Sequence, residues 1–214
     1  MSYLVNLSIE GRKALVVGAG AVALRKVEGL LAAGALVTVV APNACEAIRR
    51  LTREGRVALL DKPYEAGDLA EVSLVIAATD DEAVNAAVSV AAQEAGLLVN
   101  VVDRPALCTF TLPAVVRRGD LTLAVATEGR CPAFARALRE ELEERYGDIY
   151  GEALEFMGRL RDTMLSEGWD SARIQKVLAD LYADGIVALI RSGDAQALAA
   201  FLRHHLGPGF PLPC

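Results

Sequence analysis

Residues Lys13 to Lys26 constrain the fold more than any other stretch. A short apolar run, Lys13-Ala-Leu-Val-Val17, breaks at Gly18-Ala-Gly20 and resumes as the helical pattern Ala21-Val-Ala23-Leu-Arg25-Lys26. A run of that length with no polar alternation reads as a strand covered on both faces. Two glycines directly after it allow a tight turn and leave backbone bare for a ligand. A small third residue, Ala23, lets the helix lie close on the strand. The first N–H groups of such a helix have no partner of their own and face an anion. Strand, G-x-G-x-x-A and helix in this order are what a dinucleotide-binding turn requires. The competing reading is a strand–turn–helix that holds no ligand, and the rest of the chain has to decide.

The rest of the chain alternates. Ala14–Val17, Leu36–Val40, Val57–Leu60, Leu74–Ala78 and Leu97–Val102 read as strands, with helices over about 21–33, 45–53 and up to Ala95 between them. Gly34, Gly55 and Gly96 stand where these helices end. Apolar strands alternating with helices give an α/β fold, a Rossmann-like parallel sheet covered on both faces. Ligands of such sheets sit beyond the carboxyl ends of the strands. Those ends hold Gly18, Gly20, Ala21 and Val22; Pro42 and Asn43; Thr79 and Asp80; and Asn100 and Val101, leading to Asp103. These are the candidate cofactor-binding residues, while Asp81 reads as a helix cap. NAD sites usually carry an acid at the end of the second strand to hold the ribose. Here that end is Ala41-Pro42-Asn43, with no acid before Glu46 and no arginine for a 2′-phosphate. Either the site is not a nucleotide site, or Asn43 and backbone groups hold the ribose.

The pattern changes on either side of this core. Tyr3–Leu7 reads as an outer strand or lead-in turned at Glu10-Gly11. Cys108–Leu112 and Leu121–Ala126 read as strands, and Ala114–Val116 as an extended segment, with Arg117-Arg118-Gly119-Asp120 as a hairpin turn. Pro132 opens a helix to about Tyr146, with Phe134, Leu138 and Leu142 every fourth residue. Ile174, Val177, Leu178, Leu181 and Tyr182 mark one later amphipathic helix, and Leu198, Phe201, Leu202 and Leu206 another. The expected organisation is a nucleotide-binding domain over 1–112, a small α+β segment over 113–146 and a helical domain over 147–214.

A net charge of −6 argues against a general nucleic-acid surface. No apolar run reaches the roughly 18 residues that span a bilayer, so no membrane segment is expected. The N-terminus lacks the charged-then-apolar layout of a signal peptide, so a cytoplasmic protein is expected. Cys45, Cys108, Cys131 and Cys214 lie far apart and read as reduced thiols rather than a zinc site. His204 and His205 are helical neighbours about 100° apart, ill placed to share a metal; they read as complements to a helix dipole. No metal site is read.

Several stretches in order carry a family likeness: Gly18-Ala-Gly20-Ala-Val-Ala23-Leu-Arg25-Lys26, Ala77-Ala-Thr79-Asp80, Asn100-Val-Val-Asp103-Arg-Pro105, Phe110-Thr-Leu-Pro113 and Glu128-Gly-Arg-Cys131-Pro132-Ala-Phe-Ala-Arg136. Over about residues 3–146 the chain resembles the precorrin-2 dehydrogenase/sirohydrochlorin ferrochelatase family, the front half of bifunctional sirohaem synthases. The resemblance implies NAD as cofactor and NAD-dependent oxidation of precorrin-2 to sirohydrochlorin, with iron insertion as a further activity of some members. It implies a homodimer built largely by the segment after the nucleotide domain. It also implies NAD contacts at Ala21-Val22 and Pro42-Asn43, so that the missing ribose acid is a family trait. Cys131 departs from the Ser or Thr of many relatives, and Thr127 stands where some carry serine. The methyltransferase module of the fused enzymes does not follow, so precorrin-2 is expected to come from another protein.

The resemblance makes Asp103 the candidate catalytic residue, a carboxylate able to accept a proton as the ring system is oxidised. The alternative for Asp103 is a turn residue at a strand end. Precorrin-2 is a polycarboxylate, and guanidinium forks pair with carboxylates. Arg104, Arg117, Arg118, Arg130, Arg136 and Arg139 are therefore weighed against ordinary surface ion pairing. Arg104, Thr127, Arg130, Cys131 and Arg136 are the candidate substrate-binding residues. A different class of function stays open beside the enzyme: an NAD-binding sensor that performs no chemistry.

Overall fold

The computed structural model describes residues 3–212, and Cys214 lies outside the described residues. The chain divides into two compact units, 1–112 and 113–214. The first is a five-stranded parallel sheet in the order β3-β2-β1-β4-β5. Its strands are β1 (Lys13–Val17), β2 (Leu36–Val40), β3 (Val57–Leu60), β4 (Leu74–Ala77) and β5 (Leu98–Val101). Between them run α1 (Ala21–Ala32), α2 (Glu46–Arg53) and α3 (Glu82–Glu94). Sheet and helices together are the α/β Rossmann-like fold that the alternation implies.

Alternate residues of each strand feed opposite faces. Ala14 and Val16 of β1, Val37 and Val39 of β2, and Leu74 and Ile76 of β4 meet Ala23, Val27 and Leu30 of α1 and Ile48 and Leu51 of α2. Leu15 and Val17, with Val75, Ala77, Val99 and Val101, meet Val88 and Ala92 of α3. Fully burying one such side chain contributes about 1.5–3 kcal/mol, against about 0–1 kcal/mol for an exposed ion pair such as Arg49–Asp61. Burial on both faces therefore holds this unit. The chain runs β1 to β3 one way across the sheet, then returns to place β4 on the other side of β1. The carboxyl ends of β1 and β4 thus form the switch point where such sheets open a crevice.

Three sequence expectations are corrected. Tyr3–Leu7 forms no strand and leaves Tyr3, Leu4, Val5 and Leu7 exposed; the turn at Glu10-Gly11 is present, with Gly11 N–H bonded to Gly34 O at 2.8 Å. Cys108–Leu112 is not a strand either. A 3-10 turn over Pro105–Leu107 precedes it, and Thr109 caps β5 from outside: its N–H donates to Val99 O at 2.9 Å and its hydroxyl accepts from Val99 N–H at 2.8 Å. A β-like pattern is spent there on one side-chain-assisted contact rather than on a ladder. The hairpin turn is shorter than expected, because Arg117 and Arg118 belong to the strand and only Gly119-Asp120 turns, with Gly119 at φ +56°.

The second unit opens with that hairpin, β6 (Ala114–Arg118) antiparallel to β7 (Leu121–Val125), followed by α4 (Pro132–Arg145). Then come α5 (Ile149–Ser166), α6 (Ser171–Ala183), α7 (Ile186–Ser192) and α8 (Ala195–Leu206). Leu160, Met164, Ile174, Leu181, Ile186, Leu202 and Leu206 form their common core. Gly151 of α5 lies against the hairpin so closely that a Cβ there would stand 2.6 Å from Arg118 O. Arg118, largely buried, lies across this contact: its guanidinium bonds Glu143 O at 3.0 Å and sits 3.2 Å from Asp148 Oδ1.

His205 ties α8 to the end of α6. Its Nδ1 lies 3.0 Å from Phe201 O and its Nε2 2.9 Å from Asp184 Oδ2. Two acceptors facing two ring nitrogens favour the imidazolium, which alone carries both protons. The Asp184 contact first, then the Phe201 carbonyl, raises the His205 pKa above its usual 6.5. The resulting stabilisation is complete below that usual value and is lost as pH rises through the elevated folded value. Denaturant midpoints followed from pH 5.5 to 9 should fall more steeply for the wild type than for His205→Asn. Parallel profiles would show that the pair contributes nothing.

Candidate functional site

Gly18 continues β1 by donating to Val40 O at 2.9 Å and turns at φ +109°, a conformation side chains rarely adopt. A Cβ there would lie 2.3 Å from Ala78 O, so glycine is required by the close approach of the β1 and β4 ends. Gly20 differs. A Cβ at Gly20 would meet no protein atom within 4 Å, so packing does not demand glycine at this position. What its absence keeps open is the approach to the start of α1. That helix has no side-chain cap and no acid in its first turn. The first N–H groups of a helix have no intrahelical acceptor, and here Ala21 and Val22 carry them at the exposed edge. Ala23 is fully buried, as close helix–sheet packing requires.

The other strand ends meet the same edge. Pro42 and Asn43 follow β2 and are exposed, and Cys45 N–H bonds Ala19 O at 3.1 Å, joining this loop to the glycine turn. Sequence reading finds no arginine in this loop, yet the fold brings one. Arg49 of α2 donates to Ala44 O at 3.2 Å, with its charge taken by Asp61 at 3.1 Å. The helical offset of four residues from Cys45 was the available signal.

Thr79 and Asp80 follow β4. Thr79 is held by Asn85 of α3, a buried residue that sequence reading passed over: Asn85 Nδ2 donates to Thr79 O at 2.9 Å, and its Oδ1 accepts from the Thr79 hydroxyl at 2.9 Å. A polar residue on the apolar face of α3 was the sign of it. Asp81 caps α3, accepting from Ala83 and Val84 N–H at 2.8 and 3.1 Å. Asp80 remains exposed at the edge.

At the end of β5, Asn100 and Val101 are buried, and Asp103 beyond it is exposed. Asp103 adopts φ +57°, left-handed for a residue with a side chain. Opposite it on α1 stands Lys26, half buried. Desolvation lowers its pKa, as does neighbouring Arg25, while the Asp103 carboxylate pulls it back up. Lys26 thus belongs electrostatically to this edge. Asp103→Asn should lower the Lys26 pKa further, read by NMR titration of the lysine side chain. An unchanged value would mean that the two charges do not sense each other.

Four of the five candidate substrate residues fall within 127–136 and Arg104 lies apart from them in the chain; most already have partners. Arg104 pairs with Glu82. Arg136 pairs with Glu140 at 2.9 Å along α4, and Arg139 with Glu140 and Glu143. Thr127 donates its hydroxyl to Cys131 O at 3.3 Å. Cys131 is exposed at the N-terminus of α4, and Glu128 and Gly129, both at positive φ, turn the loop that leads to exposed Arg130. Among the described residues no group of three or more His, Cys, Asp or Glu is placed to hold a metal ion. No helix among them is long and apolar enough to cross a membrane.

An open helix N-terminus beside two glycines, at the switch point of a parallel sheet, defines a dinucleotide-binding protein of the Rossmann type. A family model described as "Putative NAD(P)-binding" matches residues 5–114. The chain belongs to this NAD(P)-binding family. Siroheme synthase of Pseudomonas aeruginosa strain PAO1 is 40% identical over 206 residues, covering 94% of this chain and 43% of that protein. Siroheme synthase of Nitrosospira multiformis is 37% identical over 211 residues, covering 96% of this chain and 45% of the other. The chain thus spans less than half the length of these relatives. A solved structure, SirC, precorrin-2 dehydrogenase, matches with a TM-score of 0.80 and 28% identity, over 95% of this chain and 98% of that one. The glycine turn and the bare helix start fit NAD, in keeping with the NAD(P)-binding family model.

Gly18→Ala places a methyl group on the Ala78 carbonyl and forces a left-handed side chain. It should destabilise the chain by about 1–3 kcal/mol and weaken NAD⁺ binding at least tenfold, read by denaturation and calorimetric titration. Wild-type affinity in this variant would remove the turn from the cofactor site.

Proposed function

We propose that this chain is an NAD-dependent dehydrogenase that converts precorrin-2 to sirohydrochlorin, a step of sirohaem synthesis. The observation that carries the reading is an exposed carboxylate, Asp103, fixed in a left-handed turn on the sheet edge that also bears Gly18, Gly20 and the bare start of α1. Full-length likeness to a precorrin-2 dehydrogenase supports it. Bound NAD⁺ supplies the hydride acceptor. The chain's own work is to hold the cofactor at the edge and to take the proton released as the substrate is oxidised. Asp103 is assigned that proton. Gly18, Gly20, Ala21, Val22, Pro42, Asn43, Thr79, Asp80, Asn100 and Val101 are assigned to the cofactor side, with Thr79, Asn100 and Val101 acting through their hold on the loops.

Arg104, Thr127, Arg130, Cys131 and Arg136 are assigned to the substrate's carboxylates. Arg104 and Arg136 would have to exchange their present carboxylate partners for those of the ligand. Fe²⁺ enters the same reading as a second substrate: the pyrrole nitrogens would ligate it and Asp103 would accept the displaced protons. We assign a homodimer to 113–146. Support for this is a two-stranded hairpin with both outer edges unpaired within its own sheet, next to a helix whose Phe134 is exposed. A cytoplasmic location completes the proposal.

Mixing the protein with NAD⁺ and precorrin-2 should produce NADH and the sirohydrochlorin spectrum together. Asp103→Asn should lower kcat by roughly 10²–10⁴-fold with NAD⁺ affinity within about twofold of wild type. NAD⁺ binding without any turnover would instead support a sensor. Light scattering should give twice the 22.7 kDa chain mass; a monomer would sink the dimer assignment.

A further inference from the structure

β5 is an edge strand, bonded to β4 on one side only. Its outward N–H and C=O groups would otherwise lack partners, which a fold rarely tolerates near its core. The chain returns after the 3-10 turn over Pro105–Leu107 and supplies those partners from both backbone and side chains, with Thr109 N–H donating to Val99 O at 2.9 Å. Val99 N–H bonds the Thr109 hydroxyl at 2.8 Å. Val101 N–H bonds Cys108 Sγ at 3.1 Å, and the same thiol lies 3.2 Å from Val101 O and 3.3 Å from Arg104 O. Asn100, buried, donates from Nδ2 to Phe110 O at 3.0 Å, with Cys108 Sγ at 3.8 Å. Arg104 N–H closes the loop on Val101 O at 3.2 Å.

Asp103 lies inside this lacing. The residues bonded to the thiol, Val101 and Arg104, bracket it along the chain. A left-handed backbone at a residue with a side chain is strained and persists only where its surroundings over-determine it. Thiol, amide and hydroxyl together provide that constraint from outside the sheet.

We propose that Cys108 and Asn100 are positioning residues, holding the Val101–Arg104 turn so that the Asp103 carboxylate faces the reacting centre. The proposal rests on the reading of Asp103 given above. Neither residue needs to touch substrate. Cys108 binds the chain on both sides of the turn, at Val101 and Arg104, while Asn100 fixes the returning segment at Phe110. A serine keeps a donor and acceptor at position 108, whereas an alanine removes both.

The test is a double-mutant cycle on the full chain with NAD⁺ and precorrin-2. Cys108→Ala should lower kcat roughly ten- to hundredfold, the scale of a small misplacement. The KM for NAD⁺ should stay within about twofold, and Cys108→Ser should recover most of the loss. Asn100→Ala should act in the same direction. In an Asp103→Asn background, Cys108→Ala should cost nothing further, because the two act as one unit. Independently of turnover, hydrogen exchange at the Val101 and Arg104 amides should quicken in Cys108→Ala and return in Cys108→Ser. Wild-type kcat in Cys108→Ala beside an inactive Asp103→Asn would overturn the positioning role alone. An active Asp103→Asn would overturn the reading of Asp103 and this proposal with it. Additive losses in the double variant, or no rescue by serine, would reduce Cys108 to a packing residue.

Discussion

The approach of the β1 end to the β4 end is the constraint on which this site depends. Gly18 passes so near the Ala78 carbonyl that no other residue fits. This contact is a consequence of sheet order: placing β4 beside β1, rather than beyond β3, makes the two loops diverge and opens the crevice between them. The glycine turn, the start of α1 and the Thr79-Asp80 loop share one edge for that reason. Each is then secured by different means: the first by backbone approach, the second by an empty cap, the third by Asn85.

Forces of very different size hold the two kinds of feature. Strands buried on both faces fix the sheet, and the loops inherit their positions from it. The polar residues that finish the site act locally through single hydrogen bonds worth about 0.5–1.5 kcal/mol net. Such bonds cannot determine the fold. They can decide which of several loop conformations is occupied, which is what a site requires. Arg136 and Arg139 of the second unit sit at the weak end of this scale, as helical i,i+4 or neighbouring pairs with Glu140 and Glu143. An exposed pair of that kind is easily exchanged for another carboxylate, so local pairing does not conflict with an anionic ligand.

Where sequence reading failed, one cause recurs. Cys108–Leu112 has the residue types of a strand, but Pro105 and the thiol and hydroxyl contacts turn it into a clasp on β5. Asn85 and Arg49 were passed over because their importance comes from loop atoms that the fold sets beside them, Thr79 and Ala44. Periodicity reports which face a residue occupies and is silent about which loop lies above that face.

The sequence alone determined the alternation of buried strands and helices, the glycine turn after the first strand, the caps at Asp81 and Pro132, and the edge to which Gly18, Asn43, Thr79 and Asp103 belong. These follow from local pattern and from the rule that parallel strands present their carboxyl ends together. The tertiary structure alone decided that Gly18 is forced by a carbonyl while Gly20 is left bare. It likewise decided that Asp103 stands left-handed in a turn laced by Cys108 and Asn100, and that Asp184 raises the His205 pKa. Those features depend on distances of a few ångströms between segments far apart in the chain, and no residue pattern along one segment encodes such distances.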